Sequence, residues 1–153
     1  MAFNITTTAF EYGKSIPAKH ACTGDDLSPQ LSWDDVPKGT TSLALTIEDP
    51  DAPGGTFTHW IVYNLPADSN GLEAIVPIQK HLANGATQGK NDFGKTGYGG
   101  PCPPKGQEHR YFFRLFALKK KLPPESANDA NSFHQAISGL IIEEAEYMGK
   151  FKK

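Results

Sequence analysis

Several features are scarce in this 153-residue sequence, and each scarcity excludes a class of protein. There are only two cysteines, Cys22 and Cys102, which is too few for a disulfide scaffold, and we expect them to remain thiols in a reducing compartment. The net charge is −2, so no general attraction to nucleic acid or to an anionic membrane is expected. No apolar run approaches the roughly 18 residues of a membrane span, so we expect no integral membrane association.

Length and composition predict one β-rich domain. A chain of 153 residues has the size of a single domain, residues 1–153, which can bury a continuous core without disulfides. Its 15 glycines and 12 prolines favour many turns and short strands over long helices. The opening stretch MAFNITTTAF lacks the basic and apolar regions of a secretory signal peptide, so we expect a cytoplasmic location.

Four segments have the alternation and the β-branched or aromatic enrichment of strands, namely residues 3–10, 43–47, 60–65 and 111–118. The two middle segments are predicted to be neighbours in one sheet, joined by the acidic turn between them. The last segment, YFFRLFAL, is the strongest, and we expect it to be central in the sheet.

Within YFFRLFAL the alternation places Arg114 on the face opposite Phe113 and Leu115. We interpret Phe112, Phe113 and Phe116 as core residues, because large aromatic side chains in a strand are mostly buried.

The stretch TGDDLSPQLSW, residues 23–33, has the composition of a capped turn. Asp25, Asp26 and Ser28 are predicted to bond nearby backbone amides, while Leu31 and Trp33 enter the core.

Two other segments have loop composition. Residues 66–80 are predicted to form a loop with a brief edge strand at IVPI, residues 75–78. Residues 84–100 are polar and rich in glycine, without the period of a helix or strand, and are predicted to form a long surface loop. Loops of that length are usually functional or disordered, and the aromatic rings of Phe93 and Tyr98 favour an ordered one.

One helix is predicted near the end of the chain. Ser132 and Gln135 have the spacing of a capping box, and apolar residues recur at helical spacing from Phe133 until Gly149. Gly139 in the middle of this segment is interpreted as a close approach to another element, because glycine otherwise weakens a helix.

The candidate chemistry begins in residues 48–64, EDPDAPGGTFTHWIVYN. Pro50 and Pro53 stiffen the backbone on which the carboxylates of Asp49 and Asp51 are carried. His59 follows at the start of a predicted strand, so Asp49 and His59 are expected to face one cleft. Asp51 is interpreted as a turn residue.

A second stretch, YGGPCPPKGQEHRY at residues 98–111, has the same form. A rigid Pro and Gly loop ends in His109, at the start of the strongest strand. A lone histidine is usually structural, but two at corresponding places beside an acid indicate a site. Residue types alone leave the structural and the functional interpretations equally favoured.

The donors in these two stretches favour an anionic ligand. Two imidazoles and the backbone amides of Gly99 and Gly100 are able to donate to a phosphate or a carboxylate. Asp49 would repel such a ligand, so we expect it either to orient an imidazolium or to meet a cationic part of the ligand.

Two enzymatic interpretations compete with this one. Asp49, His59 and His109 have the composition of a two-histidine, one-carboxylate metal site, although their spacing matches no known helical signature. Alternatively, Cys102 is a nucleophile with His59 or His109 as its base, but no helix N-terminus is evident to lower the pKa of its thiol.

Four ordered motifs carry a family resemblance: SPQLSW at 28–33, DPDAP at 49–53, the His59-Trp60 pair, and the segment from GGPCPPKG to HRYFF. With them the chain resembles the phosphatidylethanolamine-binding protein family in its short bacterial and archaeal form. The resemblance implies an all-β fold, a sandwich of two antiparallel sheets with a few short helices, including one near the C-terminus. It also implies a small pocket for phosphate or phosphorylethanolamine-like groups.

Carried over motif by motif, the resemblance assigns the pocket lining to Asp49, His59, His109 and Tyr111. It assigns the rim to Gly100, Pro101, Cys102 and Pro103. It further implies that Cys22 and Cys102 lie near each other, whether or not they are bonded.

The resemblance implies a non-catalytic binding protein without a cofactor or metal, whose partner is a small anionic or phosphorylated ligand. A module that regulates a kinase or a protease is the first alternative, and a hydrolase using Cys102 or a bound metal is the second. Animal members are longer and lack the Pro-Cys-Pro run found here, so their regulatory roles transfer poorly. Some prokaryotic relatives are homodimers, and the sequence neither supports nor excludes a homodimer here.

Overall fold

A computed structural model describes residues 2–153, which fold into two antiparallel sheets and one α-helix. The elements, in chain order, are β1 (Asn4–Thr6), a 3₁₀ turn (Ala18–His20), β2 (Leu31–Asp34), β3 (Ser42–Asp49), β4 (Phe57–Pro66), β5 (Gly71–Leu72), β6 (Thr87–Gln88), β7 (Glu108–Leu118), α1 (Ala130–Ile137) and β8 (Ile141–Lys152). The small sheet has the order β1-β2-β5 and the large sheet the order β6-β4-β3-β7-β8. The predicted all-β, two-sheet fold is confirmed.

The large sheet is buried on both faces, which explains why all eight residues of β3 are buried. Leu43, Leu45 and Ile47 point toward the small sheet, where Trp33 packs. Side chains alternate along a strand, so Ala44 of β3 faces the opposite layer. That second layer is formed by α1, and Phe133 of the helix packs there. The site described below lies at the end of the sheet where β3 turns into β4.

The predicted pairing of the two middle segments is confirmed. β3 and β4 are antiparallel, with Ile47 opposite Trp60, and the acidic turn joins them. β7 lies in the interior of the sheet between β3 and β8, although β3 is the central strand. Phe113 and Phe116 are buried as predicted, whereas Phe112 is only half-buried.

Phe112 lies on the other face of β7, between two guanidinium groups. The guanidinium carbons of Arg110 and Arg114 lie 5.5 Å and 5.1 Å from the centre of the Phe112 ring. The core assignment of Phe112 is therefore wrong, because alternation along the strand places it with the arginines.

The long C-terminal helix is wrong in extent. α1 begins after Asp129, whose side chain accepts the amide of Ser132 while the Ser132 hydroxyl accepts the amide of Asp129. The helix ends at Ile137, and Gly139 has a φ of +78°, a left-handed conformation that stops it. A methyl group built at Gly139 would meet nothing within 4 Å, so the predicted close approach is also wrong.

The residues after Gly139 form β8, which pairs with β7 along its whole length. Ala145, Gly149 and Phe151 are buried in this strand, and their spacing follows the two-residue period of a strand. The apolar residues of this segment also happen to have helical spacing, which is why a helix was predicted. Gly149 is needed because a Cβ there would lie 2.5 Å from the Phe10 ring.

Three predictions about strands and loops also change. The first strand is confined to Asn4–Thr6, shorter than residues 3–10. The brief edge strand is Gly71–Leu72 rather than residues 75–78, where Ile75 has a φ of +63° that a strand cannot contain. Residues 84–100 contain β6, and several of them are buried, so this segment is only partly a surface loop. Phe93 and Tyr98 are the two aromatic residues predicted to keep this loop ordered, and of them Tyr98 is buried and Phe93 is exposed.

Within residues 2–153, no helix is long and apolar enough to cross a membrane.

Candidate functional site

The site is built on the last residue of β3. The carboxylate of Asp49 accepts the amide of Asp51 at 2.8 Å through Oδ1, a local bond that shapes the turn. Its Oδ2 lies 2.7 Å from Nδ1 of His109 on β7. Asp49 and His109 are each 3% exposed, so this contact is shielded from water.

The Asp49–His109 contact fixes the orientation of the imidazole. An ionised carboxylate only accepts hydrogen bonds, so Nδ1–H of His109 donates. On the other side of the ring, Nε2 lies 3.1 Å from Oε1 of Gln107. The predicted role of Asp49 in orienting an imidazole agrees with this geometry, and both ring nitrogens of His109 are engaged.

The side chain of Asp51 does more than shape the turn, which was the role predicted for it. It binds the guanidinium of Arg110 through two hydrogen bonds of 2.8 Å and 2.9 Å, and it also accepts the Arg110 amide. The hydrogen bonds from Arg110 lower the pKa of Asp51 to about 2. This pair joins the acidic turn to β7 next to His109, although its exposure to water limits its contribution to stability.

His59 enters the site from β4 and is held by the backbone of the glycine loop. Its Nδ1 lies 2.7 Å from the carbonyl oxygen of Gly99, and a carbonyl only accepts, so Nδ1 carries the hydrogen. Burial lowers the pKa of His59, which favours the neutral ring. Its Nε2 therefore has a free lone pair, and no hydrogen bond to that atom is formed within residues 2–153.

Tyr111 forms the floor of the site. Its side chain is wholly buried, its ring packs edge-on against the His59 ring at 5.2 Å, and its hydroxyl has no hydrogen-bond partner among residues 2–153. Burial, and next the negative charge of Asp49, raise the pKa of Tyr111. The phenol stays protonated, and although Asp49 and the Cys102 backbone lie near it, its hydroxyl makes no hydrogen bond of good geometry to either of them.

These polar groups share a cavity of about 340 Å³. Its other walls are mainly apolar. They are formed by residues of the stretches 48–64 and 98–111 and by one ring of the loop at 84–100: Ala52, Pro53, Phe57, Phe93, Cys102, Pro103 and Pro104. Lys153 also lines it, with its Nζ 3.8 Å from Sγ of Cys102. A polar floor beneath an apolar mouth is the usual form of a small-molecule site.

Most of the predicted site residues line this one cavity: Asp49, His59, Cys102, Pro103, His109 and Tyr111. Gly100 and Pro101 do not. The carbonyl of Pro101 accepts the amide of Cys22 at 3.0 Å, so Pro101 supports the wall from behind.

The predicted anion nest of glycine amides is wrong. The amide of Gly99 donates to the carbonyl of His59 at 2.9 Å, and the amide of Gly100 donates to Oδ1 of Asp26 at 2.7 Å. Asp26 therefore bonds a distant amide rather than a local one. Ser28 does the same, since its hydroxyl accepts the amide of Val76 at 2.9 Å.

Sequence reasoning missed several cavity residues. Phe57 and Phe93 pack against each other with ring centres 4.7 Å apart, and both lie close to His59. Pro53 and Pro104 lie inside the motifs already singled out, and their position in those motifs was the available signal. Lys153 lies far along the sequence from every motif, so no local pattern indicated it.

The two cysteines form a disulfide, with an S–S distance of 2.06 Å and a sequence separation of 80. The expected proximity of Cys22 and Cys102 is confirmed, while the expectation of free thiols is wrong in this structure. Residue spacing gave no signal of this bond, because the two loops meet only through the tertiary fold. In the bonded form Cys102 has no thiolate, so the nucleophile interpretation lacks its reactive group.

The metal interpretation gains no support from the geometry. Residues 2–153 contain no group of three or more His, Cys, Asp or Glu side chains arranged to hold a metal ion. Asp49 and His109 bond each other directly, and the hydrogen of His59 is directed to Gly99.

Comparisons with known proteins agree with this fold. A family model described as phosphatidylethanolamine-binding protein matches residues 6–152. A UPF0098 protein of Methanothermobacter thermautotrophicus is 45% identical over 150 residues, covering 98% of this chain and 99% of the relative. A UPF0098 protein of Aquifex aeolicus is 42% identical, covering 97% of this chain and 88% of the relative.

Two solved structures are similar throughout. A phosphatidylethanolamine-binding protein homologue from Chlamydia trachomatis superposes with a TM-score of 0.88 at 40% identity, covering 99% of this chain and 98% of its own. YbcL of E. coli superposes with a TM-score of 0.91 at 35% identity, covering 100% and 99%. The chain therefore belongs to the phosphatidylethanolamine-binding protein family, and its relatives include bacterial and archaeal proteins.

Proposed function

We propose that this protein binds a small oxyanion, such as phosphate or phosphorylethanolamine, in the cavity between β3, β4 and β7, without catalysing a reaction on it. The observation that carries the proposal is the Tyr111 hydroxyl, a wholly buried donor with no partner among residues 2–153. A buried polar group that lacks a hydrogen bond costs stability, so such a group at the floor of a cavity favours a ligand acceptor there.

Charge around the cavity supports the same ligand class. Lys153 contributes an ammonium at the wall, and the imidazole of His109 is held against Asp49. The ammonium favours an anion, whereas both ring nitrogens of His109 are already bonded, and its hydrogen bond to Asp49 reduces the repulsion between that carboxylate and an anionic ligand. The cavity volume of about 340 Å³ exceeds that of a bare tetrahedral anion, so an anionic group with a small organic substituent also fits.

The non-catalytic part of the proposal follows from the engagement of the candidate catalytic groups. The Cys102 sulfur is bonded to Cys22, and both nitrogens of His109 have partners. His59 retains a free Nε2, but the cavity lining contains no serine, no threonine and no free thiol for it to activate. Regulation of a kinase or a protease remains the alternative, with the same cavity as the docking point for an anionic group.

The test is isothermal titration of the purified protein with inorganic phosphate and with phosphorylethanolamine. We expect binding of at least one of these, weakened about tenfold or more in Tyr111→Phe, because a hydrogen bond to a charged group contributes about 1.5 kcal/mol or more.

Tyr63→Phe is the matched control. Tyr63 also has a buried hydroxyl without a partner, but it lies in the hydrophobic layer under α1. We expect the control to bind like the wild type. The absence of heat with both anions in the wild type, or an equal effect of the two substitutions, contradicts the proposal.

A further inference from the structure

Resting on the proposed anion site, we infer that the cavity selects oxyanions that carry a proton, namely phosphate and phosphate monoesters, over anions without one, such as sulfate and phosphodiesters. The inference follows from an inventory of donors and acceptors at the floor of the cavity. A site that offered only donors would accept any of these anions, whereas this floor offers acceptors as well.

The first acceptor is Nε2 of His59. The hydrogen of this ring is on Nδ1, where it bonds the Gly99 carbonyl at 2.7 Å. His59 is 3% exposed and lines the cavity, and its Nε2 has no hydrogen bond from residues 2–153, so the donor for that lone pair comes from a ligand or from a water retained beside it. A sulfate oxygen placed against this lone pair would be repelled.

The second acceptor is the carboxylate of Asp49. It already accepts from the Asp51 amide and from His109, and it retains negative charge next to the Tyr111 hydroxyl. A fully deprotonated dianion beside a buried carboxylate is disfavoured, and a protonated ligand is disfavoured less. The donors in the same cavity are the Tyr111 hydroxyl and the Lys153 ammonium, which suit the remaining, unprotonated oxygens.

A proton taken up by His59 from solvent would remove the mismatch for sulfate, but the structure opposes it. The pKa of His59 is lowered by burial among the rings of Phe57, Phe93 and Tyr111, and this effect outweighs the opposing ones of the Gly99 backbone and of the Asp49 and Asp92 charges. Phosphate avoids this cost because it brings its own proton. Phosphate monoesters lose their second proton at a pH of about 6, so the protonated form is available near neutrality.

The experiment measures the affinities of inorganic phosphate, methyl phosphate, sulfate and dimethyl phosphate by titration calorimetry at about pH 6 and constant ionic strength. Dimethyl phosphate has the charge of a lipid phosphodiester but no titratable proton. We expect phosphate and methyl phosphate to bind about tenfold or more tightly than sulfate and dimethyl phosphate, the factor that corresponds to one unsatisfied buried acceptor.

His59→Gln is the diagnostic variant, because its side-chain amide is able to turn its NH₂ group toward the ligand. We expect the preference for phosphate over sulfate to fall to about threefold or less. His134→Gln is the matched control: His134 bonds Glu48 at 3.1 Å, lies outside the cavity and should keep the wild-type preference.

The outcomes separate this inference from the proposed function. Equal binding of phosphate and sulfate by the wild type overturns the inference and leaves the anion site in place. Absence of binding by all four anions overturns both. The wild-type ratio decides the inference even if His59→Gln does not fold.

Discussion

The disulfide between Cys22 and Cys102 allows the most quantitative prediction. The bond closes a loop with a sequence separation of 80. In the chain-entropy model, closing a loop of that length stabilises the folded state by about 4.5 kcal/mol, and measured values are commonly about 2–4 kcal/mol. For 153 residues the entropy of unfolding is about 0.32 kcal/mol/K, so each 1 kcal/mol corresponds to about 3 °C in Tm.

We therefore expect the double variant Cys22→Ser, Cys102→Ser to unfold about 6–14 °C below the oxidised wild type. Addition of dithiothreitol should lower the Tm of the wild type toward that of the variant and leave the variant unchanged. Calorimetry or circular dichroism measures both. A difference below about 3 °C would refute the reasoning, because the loop would then contribute little to the entropy of the unfolded chain.

The same bond bears on the predicted cytoplasmic location. Disulfides are rare in reducing cytosol outside hyperthermophiles. When cells are rapidly alkylated under denaturing conditions and the protein is isolated, mass spectrometry should find neither cysteine alkylated if the bond is present in the cell. Two free thiols would show that Cys22 and Cys102 are reduced there, as the sequence alone suggested.

Two further predictions concern packing and pH. Gly100→Ala should destabilise the fold by about 3 kcal/mol or more in urea denaturation, because its Cβ would lie 2.0 Å from the His20 carbonyl oxygen. Gly54→Ala, which meets nothing within 4 Å, should change stability by less than about 0.5 kcal/mol, and equal effects would contradict the packing argument. His59 has a lowered pKa in the folded state, so the unfolded chain binds more protons below about pH 6.5 and stability should fall there, by at most about 1.4 kcal/mol per pH unit from this residue. His59→Gln should flatten that part of the curve, and an unchanged slope would show that other groups cause it.

The parts predicted correctly from sequence are those that depend on local patterns. Alternation placed Leu43, Leu45 and Ile47 in a buried strand, and the rigid proline turns placed Asp49 and His109 where two strands end at one edge of the sheet. Motif resemblance then indicated which side chains share a cavity. These inferences hold because strand period and proline geometry act over a few residues, whatever lies further along the chain.

The remainder depends on contacts between distant segments. Residues 141–152 form a strand because β7 offers a partner along its length, and their spacing alone fitted a helix equally well. The amide of Gly100 binds Asp26 instead of a ligand, and the thiols of Cys22 and Cys102 meet across 80 residues. Only the folded chain decides which hydrogen bonds are satisfied internally. The unpartnered hydroxyl of Tyr111, on which the proposed function rests, and the lone pair of His59, on which the selectivity for protonated anions rests, are therefore visible only in the tertiary structure.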